Sequence, residues 1–196
     1  MPLILETIVT TLSPAGELHL VPFGLIGEDD GYVLAPFRPS PTIANLEANP
    51  CFAASSPRDI RVIAGAVTGR REWPTLPCTA IEGRRLADSF GHAEFAVAAV
   101  EAHETRPRFR GRMVHSAAHA PFIGYNRAQA AVLEGAILST RLHMLEPDKV
   151  LTEMAYLAIA IGKTAGPRER EAWGWIEDKV AAALGPEARV LDRDDR

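Results

Sequence analysis

Residues 34–46 read L-A-P-F-R-P-S-P-T-I-A-N-L, and no other stretch restricts the chain as strongly. Pro36, Pro39 and Pro41 remove backbone donors and hold φ at about −65°, so neither a strand nor a helix runs through them. Ser40 followed by Pro41 is a helix start, with an N-cap hydroxyl and proline at the first helical position. The helix is expected over residues 41–48, ending before Pro50, because the residue preceding a proline is pushed out of the helical region. The free N–H groups at its start, the hydroxyls of Ser40 and Thr42 and the guanidinium of Arg38 converge on a phosphate-sized anion site. An ordinary capped helix with a solvated arginine accounts for the same residues, and the local chemistry alone favours that plainer reading.

Upstream, residues 4–12, 18–26 and 32 onward alternate as strands separated by S-P-A-G-E and G-E-D-D-G, which predicts a three-strand antiparallel meander. Residues 51–55 form a short apolar strand, and residues 59–68 a helix. Residues 69–77 form an irregular basic loop in which Trp73 serves as an anchor. Residues from 93 read as a long strand with imperfect alternation. It is joined through 105–107 to a cleanly alternating strand at 108–116, and the two together close a barrel. Three helices follow, at 125–145, 147–162 and 167–184. The last carries Trp173, Ile176, Val180 and Leu184 on one stripe. On the first of them, Arg127, Glu134 and Arg141 recur every seven residues on a helix that is apolar nearly all round. Glu134 and Arg141 are therefore expected in a buried ion network.

The remaining signals exclude more than they assign. A net charge of −4 provides no basic field for nucleic acid. The two cysteines, Cys51 and Cys78, are not spaced as a CxxC pair and fit a reducing compartment. The first residues lack the pattern of a signal peptide, and no apolar run is long enough to span a membrane, so a cytoplasmic location is expected. Gly162-Lys163-Thr164 lacks the earlier glycine and the strand of a phosphate loop. His115 and His119 are four apart, and His92 and His103 occur nearby. Because they fall on strands and a loop, a structural role is favoured over a metal centre. No serine sits in a nucleophile elbow.

The opening strand I-L-E-T-I-V-T-T, the P-F-G-L strand at residues 22–25, the P-F-R-P-S-P-T-I-A-N-L stretch and the late Y-N-R-A-Q-A-A-V-L-E-G-A-I-L-S-T-R-L-H-M-L helix together resemble the DUF447 family of FMN-binding split-barrel proteins. The resemblance implies an α+β fold with a split β-barrel over residues 1–121; the helical pattern adds a three-helix segment over 122–188, and the charged residues 189–196 read as a frayed tail. The resemblance also implies a homodimer with FMN at the subunit boundary. Arg38, Ser40, Thr42 and Asn45 would hold the flavin phosphate, Phe37 would also bind the cofactor, and the backbone of Pro22, Phe23 and Gly24 would run along the isoalloxazine. Asn126 and Arg127 would touch the ligand from the helix start. The family often places an arginine before the Pro-Phe pair; here that position is Ala35, which moves part of the phosphate grip to Arg38 or elsewhere. The implied activity is an FMN-dependent oxidoreductase acting on a small soluble substrate, with pterin-linked one-carbon metabolism as a setting to test. The alternative is a non-catalytic flavin-binding or structural dimeric protein. No catalytic residue is assigned; His115 and Tyr125 are candidate proton donors.

Overall fold

The shortest strand of the barrel shapes it most. In a computed structural model describing residues 2–28 and 31–189, the chain begins with β1 (Ile4–Leu12), β2 (Leu18–Glu28) and β3 (Gly31–Leu34). After α1 (Pro41–Ala48) come β4 (Cys51–Pro57), α2 (Arg61–Val67), the short β5 (Thr75–Pro77) and β6 (Arg84–Leu86), and the long β7 (Ser89–Glu101) and β8 (Arg108–Ala118). Six strands close an antiparallel barrel in the order β1-β2-β3-β8-β7-β4, with β4 returning to β1 through Ile8↔Ser55, Val9↔Ala54 and Thr10↔Ala53. β3 pairs only with Ile26, Gly27 and Glu28 of β2 and with Phe109, Arg110 and Gly111 of β8. Beyond those rungs no ladder joins β2 to β8 among the described residues, and this gap is the split in the barrel.

Inside, Val9, Leu25, Leu34, Phe52, Phe95 and Phe109 pack with Ile43 and Leu46 of α1. The Phe52 and Phe95 rings stack with centroids 4.7 Å apart, and Tyr32 meets Phe95 edge-on at 5.7 Å. A Cβ at Gly111 would lie 2.9 Å from Phe52, so only glycine lets β8 approach this stack. The imperfect alternation of β7 has a cause: Ala98 is passed over on the ladder between Val97 and Ala99, and such a bulge breaks a two-residue period. On the outer face of β8, Arg108 and Arg110 are neutralised by Glu28 and Glu101.

One reading of this half is corrected. The segment expected as an irregular loop ends in β5, which pairs with β6 as a hairpin. Its β6 strand is held to the barrel wall by Leu86 N donating to Ser55 Oγ at 3.2 Å and by Thr10 Oγ1 donating to the Arg84 carbonyl. Three-residue strands carry no periodicity and leave no sign in a pattern search.

The chain divides into two compact units, one of Met1–Arg58 and Glu72–Phe122, the other of Asp59–Arg71 and the chain from Ile123 onward. The second unit therefore takes α2 out of the stretch assigned to the barrel. It also holds α3 (Arg127–Ser139), α4 (Pro147–Thr164) and α5 (Pro167–Leu184). On α5, Trp173, Ile176 and Val180 are fully buried, as their spacing required. α3 stops six residues short of the expected Leu145 and is not buried on every side. It packs through small residues, Ala128, Ala131, Gly135 and Ala136, and a Cβ at Gly135 would lie 2.9 Å from Trp173. Glu134 and Arg141 are exposed, so the buried ion network expected of them is absent. Small residues let the neighbouring helices come close on one face, which leaves the charged face in water. Among the described residues no helix is long and apolar enough to cross a membrane. Of the tail expected to fray, residues 190–196 lie outside the described residues.

Just ahead of α2, the buried carboxylate of Asp59 accepts Arg61 N at 3.0 Å and binds the Arg61 guanidinium at 2.7 Å. Burial opposes its ionisation, but the hydrogen bonds and charge of Arg61, with Arg168 behind, outweigh it and hold the carboxyl below its ordinary range. A depressed carboxylate stabilises the fold above its unfolded pKa of about 3.9 and loses that contribution as pH falls through the folded value. Asp59→Asn is expected to lower stability by about 1–3 kcal/mol at pH 7. Urea midpoints of the two proteins should converge below about pH 4. A gap that persists unchanged to pH 3 would show that the charge is not what matters.

Candidate functional site

α1 begins as the prolines dictate. Ser40 Oγ accepts Thr42 N at 3.2 Å, leaving the hydroxyl proton free to point away from the helix. Thr42 is fully buried, and its Oγ1 has no hydrogen-bond partner. A buried hydroxyl without a partner is costly, and a ligand oxygen or a water is the usual remedy. Arg38 is half-exposed and reaches Glu47 at 3.5 Å, a long contact for an ion pair. Phe37 is 65% exposed, and the Arg106 guanidinium lies over its ring at 4.6 Å. Arg106 Nε also donates to the Ala35 carbonyl at 2.9 Å. The loop before α1 meets the β7–β8 turn where Arg38 N donates to the Thr105 carbonyl at 2.9 Å, so Arg38 and Arg106 come from neighbouring loops. Arg106 was missed because it lies 68 positions from Arg38 in the chain; the only hint was the arginine absent at position 35.

Asn45 has a different role. Its Nδ2 donates to Thr11 Oγ1 at 2.9 Å and it is almost completely buried, so its donor fastens α1 to β1.

Pro22, Phe23 and Gly24 lie on the part of β2 that pairs with β1 alone. Phe23 packs against the core, and its carbonyl accepts Thr7 Oγ1 at 3.1 Å. The space that the absent Cβ of Gly24 leaves is filled by Ile4, whose Cγ2 would stand 2.7 Å from it. Close approach at Gly24 is therefore made by a neighbouring side chain.

A cleft of about 390 Å³ opens within the barrel, lined by Leu5, Thr7, Leu25, Tyr32, Phe95 and Met113 among others. Its size is that of a small-molecule site. None of Phe37, Arg38, Ser40, Thr42 or Asn45 lines it, and neither do Pro22, Phe23 or Gly24. The sequence candidates therefore cluster around α1 and along β2 without converging on one cavity. Nor does His115 or Tyr125 line the cleft.

In the helical unit, Asn126 is the N-cap of α3. Its Oδ1 accepts Ala128 N at 2.7 Å and Gln129 N at 3.2 Å, and its Nδ2 donates to Thr164 O at 3.2 Å. The amide is committed at both ends to the scaffold. Arg127 is exposed.

A second group of polar residues lies on the wall between β7 and β8. Glu94 is completely buried and accepts Thr79 N at 2.7 Å, Ala80 N at 2.6 Å and Ile81 N at 3.2 Å, all from the segment linking β5 to β6. Burial resists its ionisation, but these amides and His92 outweigh it and hold the carboxyl below the usual range. His92 Nε2 lies 2.9 Å from Glu94 Oε1, and His92 Nδ1 lies 2.9 Å from His119 Nε2. His115 stands opposite Glu94 across the ladder. His103 is not part of the group; its ring accepts backbone amides of Thr105 and Arg106 in the β7–β8 turn. Burial and the Glu94 charge push the Cys78 thiol up to about 12, which keeps it protonated and poorly nucleophilic.

Two family models match the chain: "Protein of unknown function (DUF447) N-terminal domain" over residues 5–120 and "Protein of unknown function (DUF447)" over residues 126–178. No curated protein matches it. Among solved structures, an FMN-bound protein of Methanosarcina mazei that the DUF447 model also matches is similar at a TM-score of 0.76 and 17% identity, over 91% of this chain and 96% of that one. The 2-nitrobenzoate 2-nitroreductase of Pseudomonas fluorescens is similar at 0.51 and 19% identity, over 61% of this chain and 66% of its own. Flavoredoxin from Methanosarcina acetivorans is similar at 0.51 and 12% identity, over 63% of this chain and 72% of its own. At these identities the likenesses establish the fold.

Proposed function

Because the chain belongs to the DUF447 family, we propose that it binds FMN and works as a flavin-dependent oxidoreductase on a small soluble substrate. The observation that carries this reading is the fold shared along nearly the whole chain with a DUF447 protein that is itself FMN-bound. The nitroreductase and flavoredoxin folds support the redox part.

The phosphate would be held at the start of α1. Ser40 offers its free hydroxyl proton, Thr42 its unpartnered Oγ1, and Arg38 and Arg106 offer guanidiniums. Arg106, bonded to the Ala35 carbonyl, supplies the positive charge that the family often carries at position 35. Phe37 keeps that guanidinium in place by stacking, and Asn45 keeps α1 seated on β1. The unpaired edge of β2 at Pro22, Phe23 and Gly24 offers backbone groups to a flat ring. Bound FMN supplies the hydride or electron transfer, so the protein needs orientation and charge rather than an acid–base pair. Tyr32 and the Thr7, Ser56 and Ser116 hydroxyls lining the cleft are suited to positioning a substrate.

The protein acts as a homodimer in this reading, with the flavin at the subunit boundary. Among the described residues, the β2 edge ahead of Ile26 lacks a second partner strand, and unpaired edges invite a second chain. In the helical unit, α4 exposes Tyr156 at 75% and Ile159 at 49%, an apolar face three residues apart on one side. Both features suit a second copy of the chain.

FMN should bind more tightly than riboflavin, by at least about 10-fold, because phosphate recognition uses charge-assisted hydrogen bonds. Thr42→Val should weaken FMN by about 1 kcal/mol or more in fluorescence titration and leave riboflavin unaffected. Equal affinity for both flavins would remove the anion site.

Anaerobic addition of NADH or NADPH to the FMN-loaded protein should bleach the flavin absorbance. A spectrum unchanged by both donors and by dithionite-reduced partners would leave a flavin carrier without turnover.

Light scattering at micromolar concentration should give a dimer, and Tyr156→Glu with Ile159→Glu should yield a folded monomer. A dimer that survives the double change would place the interface elsewhere.

A further inference from the structure

His115 and His119 lie outside the cleft that His92 helps to line, and the arrangement of the three histidines is that of a ligand set. We propose that His92, His115 and His119 form a three-imidazole site for a divalent cation of the zinc type, with Glu94 as the outer carboxylate that orients His92.

The argument starts from Glu94. A carboxylate that accepts three backbone amides is fixed in place and held as the anion. It lies 2.9 Å from His92 Nε2, so that nitrogen carries the proton and donates. The lone pair of His92 is then on Nδ1, directed away from Glu94. This is the carboxylate–histidine arrangement that sets tautomer and ring orientation behind most metal-bound imidazoles.

The atom facing that lone pair is His119 Nε2, at 2.9 Å. The His115 ring centroid is 5.6 Å from that of His92, and one ligand atom from each of His92, Glu94 and His115 lies within 4.8 Å of the others. Four-coordinate zinc with bonds of about 2.0–2.1 Å separates its ligand nitrogens by about 3.4 Å. Two of the nitrogens therefore need to open by ~0.5 Å, and a third has to close in. His119 stands in an exposed segment after β8 and His115 is half-buried, so both have room to adjust. The His92 side chain is 1% exposed and rigidly held. One fixed ligand with two adjustable ones is a workable site, and the exposed side at His119 leaves the fourth position to water.

Imidazole donors select zinc, copper, nickel and cobalt over magnesium and calcium, which prefer oxygen. Both Glu94 oxygens are already taken by amides and His92, which keeps the carboxylate out of the inner set. The ion would tie β7 to β8 and to the segment after it. Through Glu94 it would also tie them to the β5–β6 hairpin.

The test uses the untagged full-length chain, stripped with a chelator, desalted and titrated with zinc chloride against a chromophoric competitor. One zinc per chain is expected. His115→Ala and His119→Ala should each weaken binding by at least about 100-fold, with unchanged melting temperatures in the absence of metal, because both side chains are partly exposed. Glu94→Gln should weaken it by about 10- to 100-fold while keeping the stoichiometry. His103→Ala, outside the group, should have no effect. Absence of one-to-one binding overturns the site, as does zinc binding that survives both His115→Ala and His119→Ala. The cluster would then be a hydrogen-bonded relay only.

Discussion

The barrel depends on the stacked pair of Phe52 and Phe95, which crosses from β4 to β7 in the core. Tyr32 of β3 closes on Phe95 from the side, and β8 can approach only because Gly111 has no Cβ. An aromatic pair of this kind contributes ~1 kcal/mol beyond its buried area. Its larger effect is geometric. It fixes how far apart β4, β7, β3 and β8 stand, and that spacing lets β4 reach β1 and close the sheet. Ile43 and Leu46 of α1 pack into the same cluster, so the helix whose start gathers the anion-binding groups is positioned by the same core.

With closure secured on one side, the short β3 sets the opening on the other. Four residues cannot pair along eleven, so β2 and β8 are bridged at one end only. The rest of β2 keeps an unpaired edge, and the cleft lies among the strands around this split. Structure at the opening is thus a consequence of strand length, whereas chemistry there comes from loops: residues 35–40 and the β7–β8 turn, which brings Arg106 over Phe37. Placing charge on loops held by a rigid barrel is a common division of labour in binding proteins.

The outer wall shows the same logic with a different outcome. On β7, His92 and Glu94 alternate with Ala93 and Phe95, which pack on the core, and the segment linking β5 to β6 supplies the amides that a buried carboxylate requires. Without those amides Glu94 would be an unpaired buried charge, costing several kcal/mol by the usual magnitude. The hairpin is therefore part of the electrostatics of the wall as well as a lid on it.

The sequence by itself determined whatever rests on local backbone chemistry or on one regular period. The prolines and Ser40 located α1 and its cap, the alternation of residues 4–12 and 108–116 located the long strands, and the stripe of Trp173, Ile176 and Val180 identified the buried face of α5. Together with the P-F-G-L and late-helix patterns, these were enough for the family and the α+β barrel. Only the tertiary structure decided the rest. It joined Arg106 to Phe37 and His119 to His92, committed Asn45 to Thr11 and Asn126 to its own helix, and left Glu134 in water. Each of these depends on which distant segments the closed sheet and the helix faces bring together. Side-chain partners across the chain leave no periodic trace, because a hydrogen bond constrains two atoms in space and places no pattern on the residues between them.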